Sequence, residues 1–189
     1  VSILDARTGA LLRTVPVSTF PLAVAVDSTE DHVFVANQGA RSVTVLDGHN
    51  GSILRSVPIA GDPAVLAVAE SVRRVFVTDN HGDNVSVLDA HSGGVLRSFR
   101  LPRGPFRMAV AEHLGRVLVG AYFGDTVSTL DARSGSAVRT VPLIGSPGVL
   151  AVDEQSGRLF VTTGSGVSVL DARTGRVVHN TAVNEGPIT

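Results

Sequence analysis

The sequence predicts an all-β fold, and three observations carry that reading. Val supplies 32 of the 189 residues, and its stiff, branched side chain suits a pleated, half-buried surface. The apolar runs are short and are bounded by Gly, Pro, Asp and Ser, as strands separated by turns should be. One pattern also recurs at an almost constant interval, which is the mark of a repeat architecture. No stretch of 3.6-residue periodicity is long enough to predict a helix.

The recurring pattern begins Val1-Ser2-Ile3-Leu4-Asp5-Ala6-Arg7-Thr8-Gly9 and returns at Val43, Val85, Val127 and Val167. Its Asp is Asp5, Asp47, Asp89, Asp131 and Asp171, at spacings of 42, 42, 42 and 40 residues. A proline keeps the same rhythm at Pro21, Pro63, Pro105, Pro147 and Pro187.

Each unit reads as four strands. The first follows the proline, as in Ala23-Val24-Ala25-Val26, and its small residues suit a crowded inner position. The second is Val33-Phe34-Val35-Ala36 and the third is Val43-Thr44-Val45-Leu46. The fourth runs from Ile53 to Ile59. Pro16, Pro58 and Pro142 fall in fourth strands, and a proline cannot donate to a ladder, so this strand is expected at an edge. Between the third and fourth strands, every copy has Asp first, Thr, Ser or Asn fourth, and Gly fifth. The carboxylate can accept from the backbone ahead of it, and the glycine can take the left-handed conformation that closes a bulged hairpin. The five acids are therefore read as turn-formers. Four-stranded antiparallel sheets at this interval predict the blades of a β-propeller.

The second strands Phe34-Val35-Ala36-Asn37, Phe76-Val77-Thr78-Asp79 and Phe160-Val161-Thr162-Thr163, with Val-Ser-Val-Leu-Asp-Ala-x-Thr/Ser-Gly after them, resemble the YVTN-family β-propeller repeat. No copy has the complete Tyr-Val-Thr-Asn, and Leu118-Val119-Gly120-Ala121 departs furthest. The resemblance implies a bacterial or archaeal repeat protein, placed outside the cell, in the periplasm or at the cell surface.

The strands add up to about four and a half blades. They fall in a half blade at 1–17 and full units at 18–60, 61–102, 103–144 and 145–183. Residues 1–189 thus form a single repeat domain. An open arc leaves an apolar blade face in water at each end. Several Val, Leu or Phe side chains at about 1.5–3 kcal/mol each make that deficit roughly 10 kcal/mol. The expectation is a larger propeller, of which this chain is part, or closure by self-association. The chain begins with Val and has no basic leader region, which fits a piece of something longer or a removed targeting segment.

Composition excludes several chemistries. There is no Cys, so thiolate metal sites, iron–sulfur clusters, covalent haem attachment and Cys nucleophiles are out. All 16 basic residues are Arg, which removes the phosphate-loop and Schiff-base lysines. The net charge of −1 gives no field for nucleic acid, and no apolar run is long enough to span a bilayer. No catalytic motif, cofactor or metal site is read.

Function in repeat folds sits where the copies differ. The fourth-to-first and second-to-third loops share one face. There, Arg103 and Arg107 could grip a carboxylate or phosphate, with Tyr122 or Phe123 as an apolar wall. Asp79, His81 and Asp125 complete the candidate ligand-binding set, although loop variation with Phe106 and Phe123 buried is the plainer reading. The leading expectation is a non-catalytic binding or scaffold propeller for an unknown protein or small-molecule ligand. The alternative is an enzyme or enzyme subunit, lyase-like or quinoprotein-dehydrogenase-like, for which His81 with Asp125 is the pair to test.

Overall fold

A computed structural model describes residues 1–79, 81–101 and 104–182. It contains eighteen strands and one three-residue 3-10 turn at Glu70–Val72. A two-stranded sheet comes first, from β1 (Ser2–Leu4) and β2 (Leu11–Thr14). Blade 1 is β3 (Pro21–Asp27), β4 (His32–Asn37), β5 (Ser42–Asp47) and β6 (Ile53–Pro58). Blade 2 is β7 (Pro63–Ala69), β8 (Arg74–Asp79), β9 (Asn84–Asp89) and β10 (Val95–Arg100). Blade 3 is β11 (Pro105–Ala111), β12 (Arg116–Ala121), β13 (Thr126–Asp131) and β14 (Ala137–Pro142). Blade 4 is β15 (Leu150–Asp153), β16 (Arg158–Thr163), β17 (Gly166–Asp171) and β18 (Val177–Ala182). Each blade is an antiparallel meander in chain order, so the first and fourth strands are its edges. The chain is therefore all-β, with four blades and a half. Pro58 and Pro142 end fourth strands as expected, whereas Pro16 lies just beyond β2.

The first strands β3, β7, β11 and β15 pack successively against one another and form the inner row. The core lies between blades. Phe34, Val43 and Val45 of blade 1 meet Leu66, Val75, Val77 and Leu88 of blade 2. Phe76, Val85 and Val87 of blade 2 meet Val117, Val119 and Leu130 of blade 3. Leu118 and Val127 of blade 3 meet Leu159, Val161 and Leu170 of blade 4. Along β4, Phe34 faces blade 2, while Val33 and Val35 face the half blade. Both faces of a middle strand are thus buried, which explains why these strands read as unbroken apolar runs rather than alternating ones.

The third-to-fourth hairpin forms in all five copies as the residues dictate. The Asp carboxylate accepts the backbone N–H three residues on, at 2.7–2.9 Å, in each copy. The closing glycine takes φ between 67° and 71° and donates its N–H to the Asp carbonyl at 2.8 Å. Hydrogen bonds from the residue three on, foremost the Thr8 hydroxyl for Asp5 and the Ser92, Ser134 and Thr174 N–H groups for Asp89, Asp131 and Asp171, hold these carboxyls below their ordinary range. The acids are structural, as turn chemistry requires.

Two further bond series cross the blade joints. Glu112 accepts from the backbone N–H groups of Glu70 and Ser71, at 2.8 and 3.2 Å. Glu154 does the same for Glu112 and His113, at 2.5 and 3.3 Å. Glu70 accepts from the N–H and hydroxyl of Ser28. On the fourth strands, Arg13, Arg55 and Arg97 each donate to a carbonyl in the next blade's hairpin, that of Asn50, Ser92 and Ser134 respectively.

Candidate functional site

The sharpest departure from the repeat lies on the loop face of blade 3. The backbone there is shared with blades 1 and 2, and the departure is in the side chains: the β11–β12 register slips between Pro105 and Arg107, so Phe106 is an extra residue in the ladder, where β3–β4 slips at Leu22 and β7–β8 slips after Pro63. A bulge of this kind re-aims a side chain. The turn after β12 is pinned by the Tyr122 N–H donating to the Gly104 carbonyl at 3.1 Å, and it closes through the Gly124 N–H on the Ala121 carbonyl. Together these loops border a half-open pocket of about 340 Å³ lined by Gly104, Phe106, Arg107, Tyr122 and Phe123.

Its parts are specific. The Arg107 guanidinium carbon lies 4.5 Å from the centroid of the Phe106 ring, a cation–π stack. The Tyr122 and Phe123 rings meet edge to face, with centroids 5.2 Å apart. Phe123 is 74% exposed and Tyr122 48%, so neither ring belongs to the core. The expectation that Phe106 and Phe123 are buried therefore fails: Phe106 is half-buried and Phe123 faces solvent. In the other units the four positions hold Leu22, Ala23, Gln38 and Gly39; Ala64, Val65, Asn80 and His81; and Gly148, Val149, Gly164 and Ser165. The combination occurs once.

Of the expected site residues, the structure brings Arg107, Tyr122 and Phe123 together. Arg103 lies outside the described residues. Asp79 and His81 belong to a separate group in blade 2. Asp79 is buried, and its Oδ1 accepts from the backbone N–H groups of Asp62 and His81 at 3.0 and 3.2 Å. A Cβ at Gly61 or Gly82 would collide with that carboxylate, so the two loops are clamped on it. His81 Nδ1 sits 3.1 Å from Asp62 Oδ2, and Asp62 Oδ1 also accepts from Arg41 Nε at 2.9 Å. The Arg41 hydrogen bond, with a smaller contribution from His81, holds the Asp62 carboxyl below its usual range. Asp125 accepts instead from the Ser146 hydroxyl, at 2.7 Å. His81 and Asp125 thus have different partners.

Phe106 and Gly104 are the site residues that the loop comparison underrated. The signal was present, because Phe106 precedes Arg107 where other units carry small or aliphatic residues. Asp62 was also missed as the partner of His81. The underlying pattern is a 21-residue offset: Arg41 bonds to Asp62, Asp83 accepts from the Gly104 N–H, and Asp125 accepts from Ser146. Among the described residues, no three or more His, Asp or Glu side chains group so as to hold a metal ion. No helix of the described residues is long and apolar enough to cross a membrane.

No protein-family model matches the chain, and no curated relative is detected. Solved structures do resemble it. Hydrazine synthase of Kuenenia stuttgartiensis superposes with a TM-score of 0.78 and 19% identity, over 91% of this chain and 52% of its own. The dihydro-heme d1 dehydrogenase NirN, solved in complex with DHE, superposes with a TM-score of 0.78 and 16% identity, over 97% of this chain and 41% of its own. This chain thus spans about half the length of those chains or less. At these identities the likeness is one of fold, and it agrees with the blade architecture.

Proposed function

We propose that this chain is a binding module, a set of YVTN-like propeller blades whose loop face recognises a ligand at blade 3. One observation carries the reading: a cation stacked on one aromatic ring faces an exposed pair of aromatic rings, in one blade out of four. Exposed Tyr, Phe and Arg clusters of this kind favour recognition. Nearby, Asp79 and Asp125 accept hydrogen bonds from adjoining loops, and His81 is paired with Asp62.

A library of small polar and aromatic compounds, screened by ligand-observed NMR, tests this reading. Hits should be lost in the Tyr122→Ala/Phe123→Ala double variant and kept in His81→Ala. Hits that survive removal of both rings refute the site. Turnover of a hit that His81→Ala abolishes would favour an enzyme instead.

We also propose that the open face of blade 4 seats another blade of the same unit. The support is continuity, since the chain makes this joint three times with the same side chains. Light scattering on wild type and Phe160→Glu decides how the seat is filled. A concentration-dependent assembly that Phe160→Glu dissolves shows a blade supplied by a second copy. A monomer in both cases assigns the seat to a covalently continuous blade, tested by lengthening the chain by one unit and finding Phe160 protected.

A further inference from the structure

We propose that the blade-3 site takes a small monoanion with a planar aromatic body, its carboxylate on Arg107 and its ring against Tyr122 and Phe123. The inference rests on the binding-module reading and names the ligand class. Charge comes first. Ion pairs join Arg41, Arg73, Arg74 and Arg116 to acids, but among the described residues Arg107 has neither an ion pair nor a side-chain hydrogen bond. The Phe106 ring covers one face of its guanidinium. The N–H donors lie in the guanidinium plane, so their fork stays open to a planar carboxylate.

The same surroundings select against higher charge. Asp83, on the β8–β9 loop of blade 2, accepts from the Gly104 N–H, and Asp125, on the β12–β13 loop, accepts from the Ser146 hydroxyl. A dianion such as phosphate would meet acidic side chains on both adjoining loops. A single negative charge is the better match.

Size and shape narrow the body. A pocket of about 340 Å³ lies at the small end of ligand sites, which run from about 300 to 1,000 Å³, and suits one ring better than a peptide. The edge-to-face Tyr122 and Phe123 rings offer a face and an edge to a third ring.

The chain supplies its own reporter. Tyr122 is the single Tyr and there is no Trp, so intrinsic tyrosine emission comes from this site alone. Three probes separate the terms: phenylacetate, its neutral isostere phenylacetamide, and cyclohexylacetate, which keeps the charge and loses the ring. Phenylacetate should change the emission saturably, and both other probes should bind about tenfold more weakly or worse. Arg107→Gln should remove the preference for acid over amide. Phe123→Ala should weaken all three probes while melting as the wild type does. Equal binding of acid and amide overturns the anionic class but leaves the pocket a binding site. Equal binding of cyclohexylacetate overturns the aromatic requirement. No saturation by any probe overturns the ligand class, and the library screen then judges the binding-module reading independently.

Discussion

Blades 1 to 3 and blade 4 carry the same side chain chemistry but meet different surroundings. Phe34, Phe76 and Leu118 occupy equivalent positions in their middle strands and are each 0% exposed. Phe160, at the same position in blade 4, is 41% exposed. The opposite end mirrors this. Val24 and Val26 of blade 1 are 57% and 58% exposed, whereas their blade 2 equivalents Leu66 and Val68 pack into the joint with blade 1. The contrast teaches that burial here is a property of a blade pair. A strand can be correctly formed and fully hydrogen-bonded and still leave its apolar face wet. Stability should accordingly concentrate at the joints, as in other repeat architectures.

That comparison can be broken most directly by shortening a phenylalanine on each side of it. Phe76→Ala should cost about 3–5 kcal/mol in urea unfolding, because it empties a filled joint. Phe160→Ala should cost less than about half of that. Equal losses would show that the blade 4 face is covered in solution. The hairpin glycines sharpen the same point. Gly9 and Gly175 have φ of 71° and 69°, so alanine strains both by about 1–2 kcal/mol. A Cβ at Gly9 meets nothing within 4 Å, but one at Gly175 collides with Thr129 of blade 3. Gly175→Ala should therefore lower the melting temperature more than Gly9→Ala.

Smaller effects are expected from the polar joints. Glu112→Gln loses one of two acceptors for the Glu70 and Ser71 N–H groups and should cost about 1–2 kcal/mol. Native-state hydrogen exchange should report faster exchange at those two amides. The smallest effect is a pH dependence. The Ser134 N–H leads the causes that lower the Asp131 carboxyl, with Arg116 contributing less. A lowered carboxyl stabilises the fold fully above its unfolded value of about 3.9 and loses that contribution as pH falls through the folded value. Asp131→Asn should thus be less stable than wild type at neutral pH, with the gap closing below about pH 4. A gap that persists at pH 2 would show that the deficit comes from geometry and not charge.

Much of the fold was legible because one interval of 42 residues ties every turn signal to every apolar run. Asp131 and Gly135 announce a hairpin from sequence alone, since their chemistry is local. The site was only partly legible. Arg107, Tyr122 and Phe123 stood out as departures from the repeat, but the slip that makes Phe106 an extra residue depends on pairing with β12. The partners of His32 and His113 were equally hidden. His32 Nδ1 lies 3.0 Å from the Ala90 carbonyl in the next blade, and His113 sits 3.4 Å from Glu154. The Glu70, Glu112 and Glu154 series was readable, because it keeps the 42-residue interval. It was overlooked because acids in polar turns attract no notice until their acceptor role is seen.

The carboxylate bonds across the joints run one way: each glutamate is received by the turn of the blade before it. A segment one period long therefore carries both its own plug and its own socket. Copying such a segment, or deleting it, restores matching ends on either side. Gene duplication could thus lengthen or shorten this kind of array in whole steps, with no compensating substitution at the new boundary.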